Sequence, residues 1–119
     1  MAILIQSPSI IESAGNKPKI IRELVGRVNT KTDKTSVARM SSPEGWIEPG
    51  QTPEFDEYTL VLSGSLKVET RDRVHVVKEG QAIIAPKGQW VRYSTPNGPC
   101  EYVAVCVPAF SPDTVHRDE

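Results

Sequence analysis

Histidine is scarce in this chain: His75 and His116 are the two among 119 residues, which excludes sites built from several imidazoles converging on one ion. Cysteine is as sparse. Cys100 and Cys106 are too few for the disulfide framework of a small secreted domain and are not spaced like a zinc knuckle, so both read as buried free thiols. Aromatics make up 6% of the chain, and no apolar run approaches the ~18 residues that a membrane helix needs. Met1 to Ile5 lacks the basic start and long apolar stretch of a secretory leader, so a cytoplasmic location is expected. Neither sign of charge dominates. Lys plus Arg is 14 against 15 Asp plus Glu, a net charge of -1, which leaves no electrostatic footprint for nucleic acid or an anionic membrane surface. Repeats and low-complexity stretches are missing too, so a single domain with one core is expected.

What the chain does have is short runs of β-formers separated by turn residues. The runs are Ser36 to Met40, Tyr58 to Leu62, Leu66 to Thr70, Val74 to Val77, Gln81 to Ala85, Trp90 to Ser94 and Tyr102 to Val107. Between them stand Pro49-Gly50, Ser63-Gly64, Arg71-Asp72, Glu79-Gly80, Pro86-Lys87-Gly88 and Pro96-Asn97-Gly98-Pro99, residues that supply the φ angles of tight turns. This spacing predicts an all-β sandwich or barrel over residues 36–110. Residues 1–35 read as an N-terminal arm packed on that barrel, and residues 111–119 as a C-terminal tail. Within the arm, Ser7-Pro8 resembles an N-cap and first helical position and Gly15 a stop, which predicts one short helix; residues 16–33 predict an edge strand or cover. Tyr58 to Leu62 and Tyr102 to Val107 are apolar on both faces, so each needs cover from the lumen on one side and from an arm or second subunit on the other.

Gly50, Glu57 and Gly64, followed by Gly80, Pro86 and Gly88, reproduce in order the glycine, glutamate and proline skeleton of two motifs. On those residues, from about Ser36 to Pro108, the chain resembles the cupins, which implies a jelly-roll barrel, the double-stranded β-helix. The resemblance also implies a lumen site, and here the sequence departs from the pattern. Where cupins commonly place histidines, six and four residues before the glutamate and three after the second glycine of motif two, this chain has Gln51, Pro53 and Val91. Only Glu57 of the usual metal quartet remains. A narrower resemblance is to the histidine-poor Q-type cupins of ethanolamine utilisation. It rests on Phe55-Asp56-Glu57, Gly64, Pro86-Lys87-Gly88, Thr95-Pro96 and the final run to Pro108. That family's association with acetate-kinase-type chemistry is not carried over, because no phosphate-cradling glycine loop accompanies it.

Strand alternation then nominates the site. If Glu57 faces the lumen, Thr59 and Val61 share its face, and Val91 and Tyr93 point inward from the motif-two strand. A carboxylate among apolar side chains has its pKa raised by desolvation, which poises it for proton transfer; the alternative is a structural hydrogen bond. Glu57 and Tyr93 are therefore the candidate catalytic pair, if the protein is an enzyme. Gln51 can offer a donor and an acceptor to a ligand or sit as an exposed turn residue. Arg39 can hold an anion by its fork if it faces the lumen, or decorate the outer face if it does not. Trp46 is expected to wall the barrel mouth or cover the core. His116 can fold back over the mouth or remain a free end.

The leading expectation is a metal-independent barrel that binds a small polar or anionic metabolite through Gln51, Glu57, Tyr93, Arg39 and Trp46, with isomerase- or lyase-type proton transfer if it catalyses at all. No cofactor is expected. The rivals are an atypical metalloenzyme with Glu57 and Gln51 as ligands, helped by His116, and a non-catalytic structural barrel. A homodimer is expected through the apolar outer strands and the arm.

Overall fold

The computed structural model describes residues 1–119 as nine β-strands without a helix. They are β1 (Ser9–Ile11), β2 (Ile20–Val25), β3 (Ser36–Ser42), β4 (Asp56–Ser63), β5 (Ser65–Thr70), β6 (Val74–Lys78), β7 (Ala82–Ala85), β8 (Val91–Ser94) and β9 (Cys100–Val107). A six-stranded sheet in the order β1-β2-β3-β9-β4-β7 faces a three-stranded sheet in the order β6-β5-β8, all pairs antiparallel. The strand and turn pattern predicts an all-β sandwich or barrel, and the architecture is the jelly roll that the cupin resemblance implies.

The arm differs from expectation at one point. Ser9 to Ile11 form a strand, not a helix, paired with Ile21 to Glu23 of β2. The reason is local: Pro8 is as compatible with extended backbone as with a helix start, and an Ile-Ile pair gains more from lying against an open sheet edge than from one helical turn. β2 in turn pairs with β3, so the arm widens the sheet instead of lying across it.

Alternation along β4 places Glu57, Thr59 and Val61 on the inner face and leaves Tyr58, Leu60 and Leu62 outside. Val91 and Tyr93 of β8 are buried in the same way. The space between the sheets holds Trp46, Val61, Leu66, Val68, Val77, Val91, Tyr93, Cys100 and Tyr102. Each fully buried aliphatic among them contributes roughly 1.5–3 kcal/mol. A smaller cluster of Phe55, Cys106 and Val115, edged by Phe110, plugs the end where the tail returns. The β4–β5 reversal turns on Gly64 at φ 79°, and a Cβ there would stand 2.3 Å from the Pro99 carbonyl oxygen. Glycine is required on both counts.

Candidate functional site

The second sheet does not end at β8. Residues 46–51 run antiparallel beside it: Thr95 donates to the Trp46 carbonyl at 2.9 Å, Glu48 to Tyr93 at 3.4 Å, and Gln51 and Val91 exchange two bonds of 2.9 Å. The C-terminal tail forms the next rung. Thr52 donates to the His116 carbonyl at 3.1 Å, Glu54 to Thr114 at 2.9 Å, and Asp118 to Gly50 at 2.8 Å, while Gln51 bridges Arg117. Alternation turns Trp46 and Glu48 inward and Ile47 and Pro49 outward, and a one-residue register shift between the Ile47–Ser94 and Gln51–Val91 bridges brings Gln51 inward as well. On the tail, alternation turns Arg117 inward and His116 and Asp118 outward. A further alternation in and before β2 brings Lys19, Ile21 and Glu23 to the same interior.

The result is a lumen cavity of about 60 Å³ against the inner face of the larger sheet. Its polar wall is Lys19, Glu48, Gln51, Glu57 and Arg117 with Glu23 and Ser36 at its edge, and its apolar wall includes Ala38, Met40, Ala104 and Phe110. Two cations and three carboxylates line one small space, and no ion pair joins any of them: the Glu23 carboxylate accepts from the Val28 and Asn29 amides at 3.1 and 2.8 Å, and the salt bridges of this protein, Arg39–Glu101, Arg92–Glu69 and His116–Glu54, all lie outside it. Buried charges left without direct partners are costly, and the cost falls when a bound group completes the set.

Titration follows from this arrangement. Burial first, and then the neighbouring Glu48 carboxylate, push the Glu57 pKa up to about 7, against the pull of Lys19 and Arg117. Burial raises Glu48 as well, opposed by Lys19 and Arg117. Burial works against the charge of Lys19, but Tyr102 and Glu48 outweigh it and hold the ammonium above its ordinary value. Tyr93 is driven well above the usual phenol range by burial and then by Glu57, and its hydroxyl is buried without a hydrogen-bond partner. Thr59 Oγ1 and Arg117 Nε share that condition.

The residues nominated from sequence distribute unevenly. Glu57 and Gln51 line the cavity, and Tyr93 is buried on the inward face of β8. Trp46 is fully buried, its indole donating to the Ala14 carbonyl at 3.0 Å, and its ring carries the Lys19 ammonium 4.1 Å from the centroid. Arg39 takes the outer face. Its register opposite Val103 points it to solvent, where it pairs with Glu101 at 3.0 Å, so it does not reach the lumen. His116 lies outside on Glu54 and not over the cavity. Sequence reasoning missed Lys19, Glu48 and Arg117. Local hydrophobic alternation points the wrong way for two of them, since Ile20 and Ile47 face outward while their neighbours Lys19 and Glu48 face in.

Comparison with known proteins accords with this architecture. The sequence pattern of the family described as Cupin domain matches residues 39–106. A curated relative, endoribonuclease YbeY of Myxococcus xanthus, is 44% identical over 101 residues, which is 84% of this chain and 34% of that protein. The chain thus spans about a third of that relative's length. Among solved structures, ethanolamine utilization protein Q of Salmonella typhimurium superposes with a TM-score of 0.68 at 19% identity, over 87% of this chain and 97% of that one. The polyketide cyclase RemF of Streptomyces resistomycificus gives 0.71 at 20% identity, over 90% and 78%. Oxalate decarboxylase of Bacillus subtilis gives 0.78 at 18% identity, over 95% and 30%. At these identities the structural likeness is one of fold. The family pattern runs from within β3 to within β9, more than half of the chain, and the barrel those strands close makes this protein a member of the cupin family.

Proposed function

We propose that the lumen binds a small organic anion and that Glu57 exchanges a proton with it without the help of a metal ion. The observation that carries this reading is the unpaired charge set of Lys19, Arg117, Glu48 and Glu57 around one cavity. Lys19 and Arg117 would hold the anionic group. A carboxyl with a pKa of about 7 is near half ionisation at neutral pH, so Glu57 can accept or donate a proton at little cost. The Tyr93 hydroxyl, kept neutral by burial and free of a protein partner, would donate a hydrogen bond to oxygen charge that develops as the proton moves. The reaction class is then an isomerisation or elimination beside a carboxylate.

The metal ion that cupins commonly hold does not suit these residues. No three of the His, Cys, Asp and Glu side chains converge on a point, and Gln51, Pro53 and Val91 occupy the usual histidine positions. Burial keeps the Cys106 thiol protonated, so it offers no thiolate to an ion. The endoribonuclease activity named for the Myxococcus relative belongs to a protein of which this chain covers 34%.

The outer face of the larger sheet supports a second part of the reading, a homodimer. Tyr58, Leu60, Leu62, Ile84 and Val107 are 42%, 43%, 37%, 63% and 42% exposed and form one apolar field with the neighbouring Val103 and Val105. Such a field on a small protein marks a partner surface, and a second copy would close it symmetrically.

The test of the lumen reading is thermal denaturation in a panel of two- to four-carbon carboxylic acids, with elemental analysis of the purified protein beside it. At least one acid is expected to raise Tm, with the gain lost in Lys19→Met. A stoichiometric transition metal that Glu57→Ala abolishes overturns the reading.

A further inference from the structure

The tail segment Thr114–Asp118 is joined to residues 50–54 by three backbone bonds and crowned on its outer side by two side-chain pairs. One is His116 with Glu54. The other is the Trp90 indole, which donates to Asp118 at 2.8 Å over Gly50, where a Cβ would stand 2.3 Å from the indole nitrogen and 2.5 Å from the Asp118 carboxylate. This strap runs along residues 50–54 and carries the Arg117 side chain into the cavity lining. Arg117 lines the cavity with Nε buried and without a partner, and its guanidinium lies 5.8 Å from the Phe110 ring. An arginine with an unsatisfied buried donor, aimed at a space that also holds Lys19, is a fork without its anion.

We propose that the strap is the gate of the lumen and that Arg117 is its carboxylate-binding residue, so that the ligand enters when the strap lifts and is clamped when the strap returns. The inference rests on the lumen reading above and assigns the ligand class within it. The charge balance favours a monocarboxylate. Backbone amides of Val28 and Asn29 hold the Glu23 carboxylate, so with Glu57 protonated the lining charges without a hydrogen-bonded anion or amide are Lys19, Arg117 and Glu48; a single carboxylate balances that set, whereas a phosphate dianion would face Glu48 with one negative charge in excess. The edge that parts is the one between the tail and residues 50–54; the adjoining edge, where Gln51 and Val91 exchange bonds of 2.9 Å, stays closed and keeps the rest of the barrel intact.

Amide hydrogen exchange on the full chain, read residue by residue, tests both parts. Without ligand, the amides of Thr52, Glu54 and Asp118 are expected to exchange at least about tenfold faster than those of Gln51, Val91 and the β3–β9 ladder, because a local opening frees only the first three. Sodium acetate or sodium pyruvate, against sodium chloride at equal ionic strength, is expected to slow those three in the native protein. The effect should disappear in Arg117→Gln, with partial retention in Arg117→Lys, which keeps the charge without the fork. Exchange of Thr52, Glu54 and Asp118 only at the rate of Gln51 and Val91 overturns the gate, whatever the ligands do. Equal protection by acetate or pyruvate in the native protein and Arg117→Gln overturns the role of Arg117 while leaving the lumen reading standing, and protection by inorganic phosphate alone overturns the carboxylate assignment. If none of these anions protects the native protein, the lumen reading fails and the role of Arg117 fails with it.

Discussion

The ammonium of Lys19 stands 4.1 Å from the centroid of the buried Trp46 ring and donates to the Tyr102 hydroxyl at 3.2 Å. A cation held on an aromatic face and one phenol keeps donors free on its remaining side, toward the cavity. Lys19 is also among the charges that lower the Glu57 pKa. Lys19→Met is therefore expected to move the Glu57 midpoint upward from about 7, followed by the carboxyl carbon resonance through a pH titration. A midpoint that stays or falls would show that Lys19 does not face Glu57.

Glu57 makes the protein's stability depend on pH in a direction opposite to that of an ordinary paired carboxylate. Its folded pKa of about 7 lies above the unfolded value of 4.5, so the native state binds the extra proton between them. Stability contributed by this group is complete below pH 4.5, declines as pH rises through that window and is lost above about 7. The loss is at most ~3 kcal/mol, less the relief from partial solvent access. Glu57→Gln, which is neutral throughout, should raise Tm relative to the native protein at pH 8 and leave it nearly unchanged at pH 4.5. A Tm deficit at pH 8 would place Glu57 in a stabilising contact instead.

Tyr93→Phe separates binding from stability. The hydroxyl is buried and unpartnered, so its removal sacrifices no protein hydrogen bond and should change unfolding free energy by no more than about 1 kcal/mol. Any acid that raises Tm should bind more weakly to the variant. Destabilisation well beyond that range, measured by urea titration, would mean that the hydroxyl has a structural partner.

The dimer is tested at Leu60, which is 43% exposed at the centre of the outer apolar field. Native protein should show twice the chain mass by light scattering and Leu60→Lys the mass of one chain, with the fold retained in both. A native monomer at tens of micromolar would remove the second copy from the proposal.

The barrel was legible because its signals are local. Turn residues fall between β-rich runs, and strict alternation from Glu57 through Val61 and from Val91 to Tyr93 sorts inner from outer faces. Arg39 was not legible for the converse reason. Ser36, Ala38 and Met40 on one face of β3 and Val37, Arg39 and Ser41 on the other offer little contrast in hydrophobicity, and only the register with Val103 decides which face is inside. Lys19, Glu48 and Arg117 escape because their inward aim depends on pairing with distant segments: β2 on β3, residues 46–51 on β8, and the tail on residues 50–54.

Lys19 and Arg117, the two cations of the cavity, both fall outside residues 39–106, the stretch that carries the family pattern. On the proposed lumen reading, the scaffold and its selectivity are written in different parts of the same text. Two such barrels could agree at every position of the shared middle and yet choose opposite ligands, one drawing in an acid and the other an amine, through exchanges confined to their two ends.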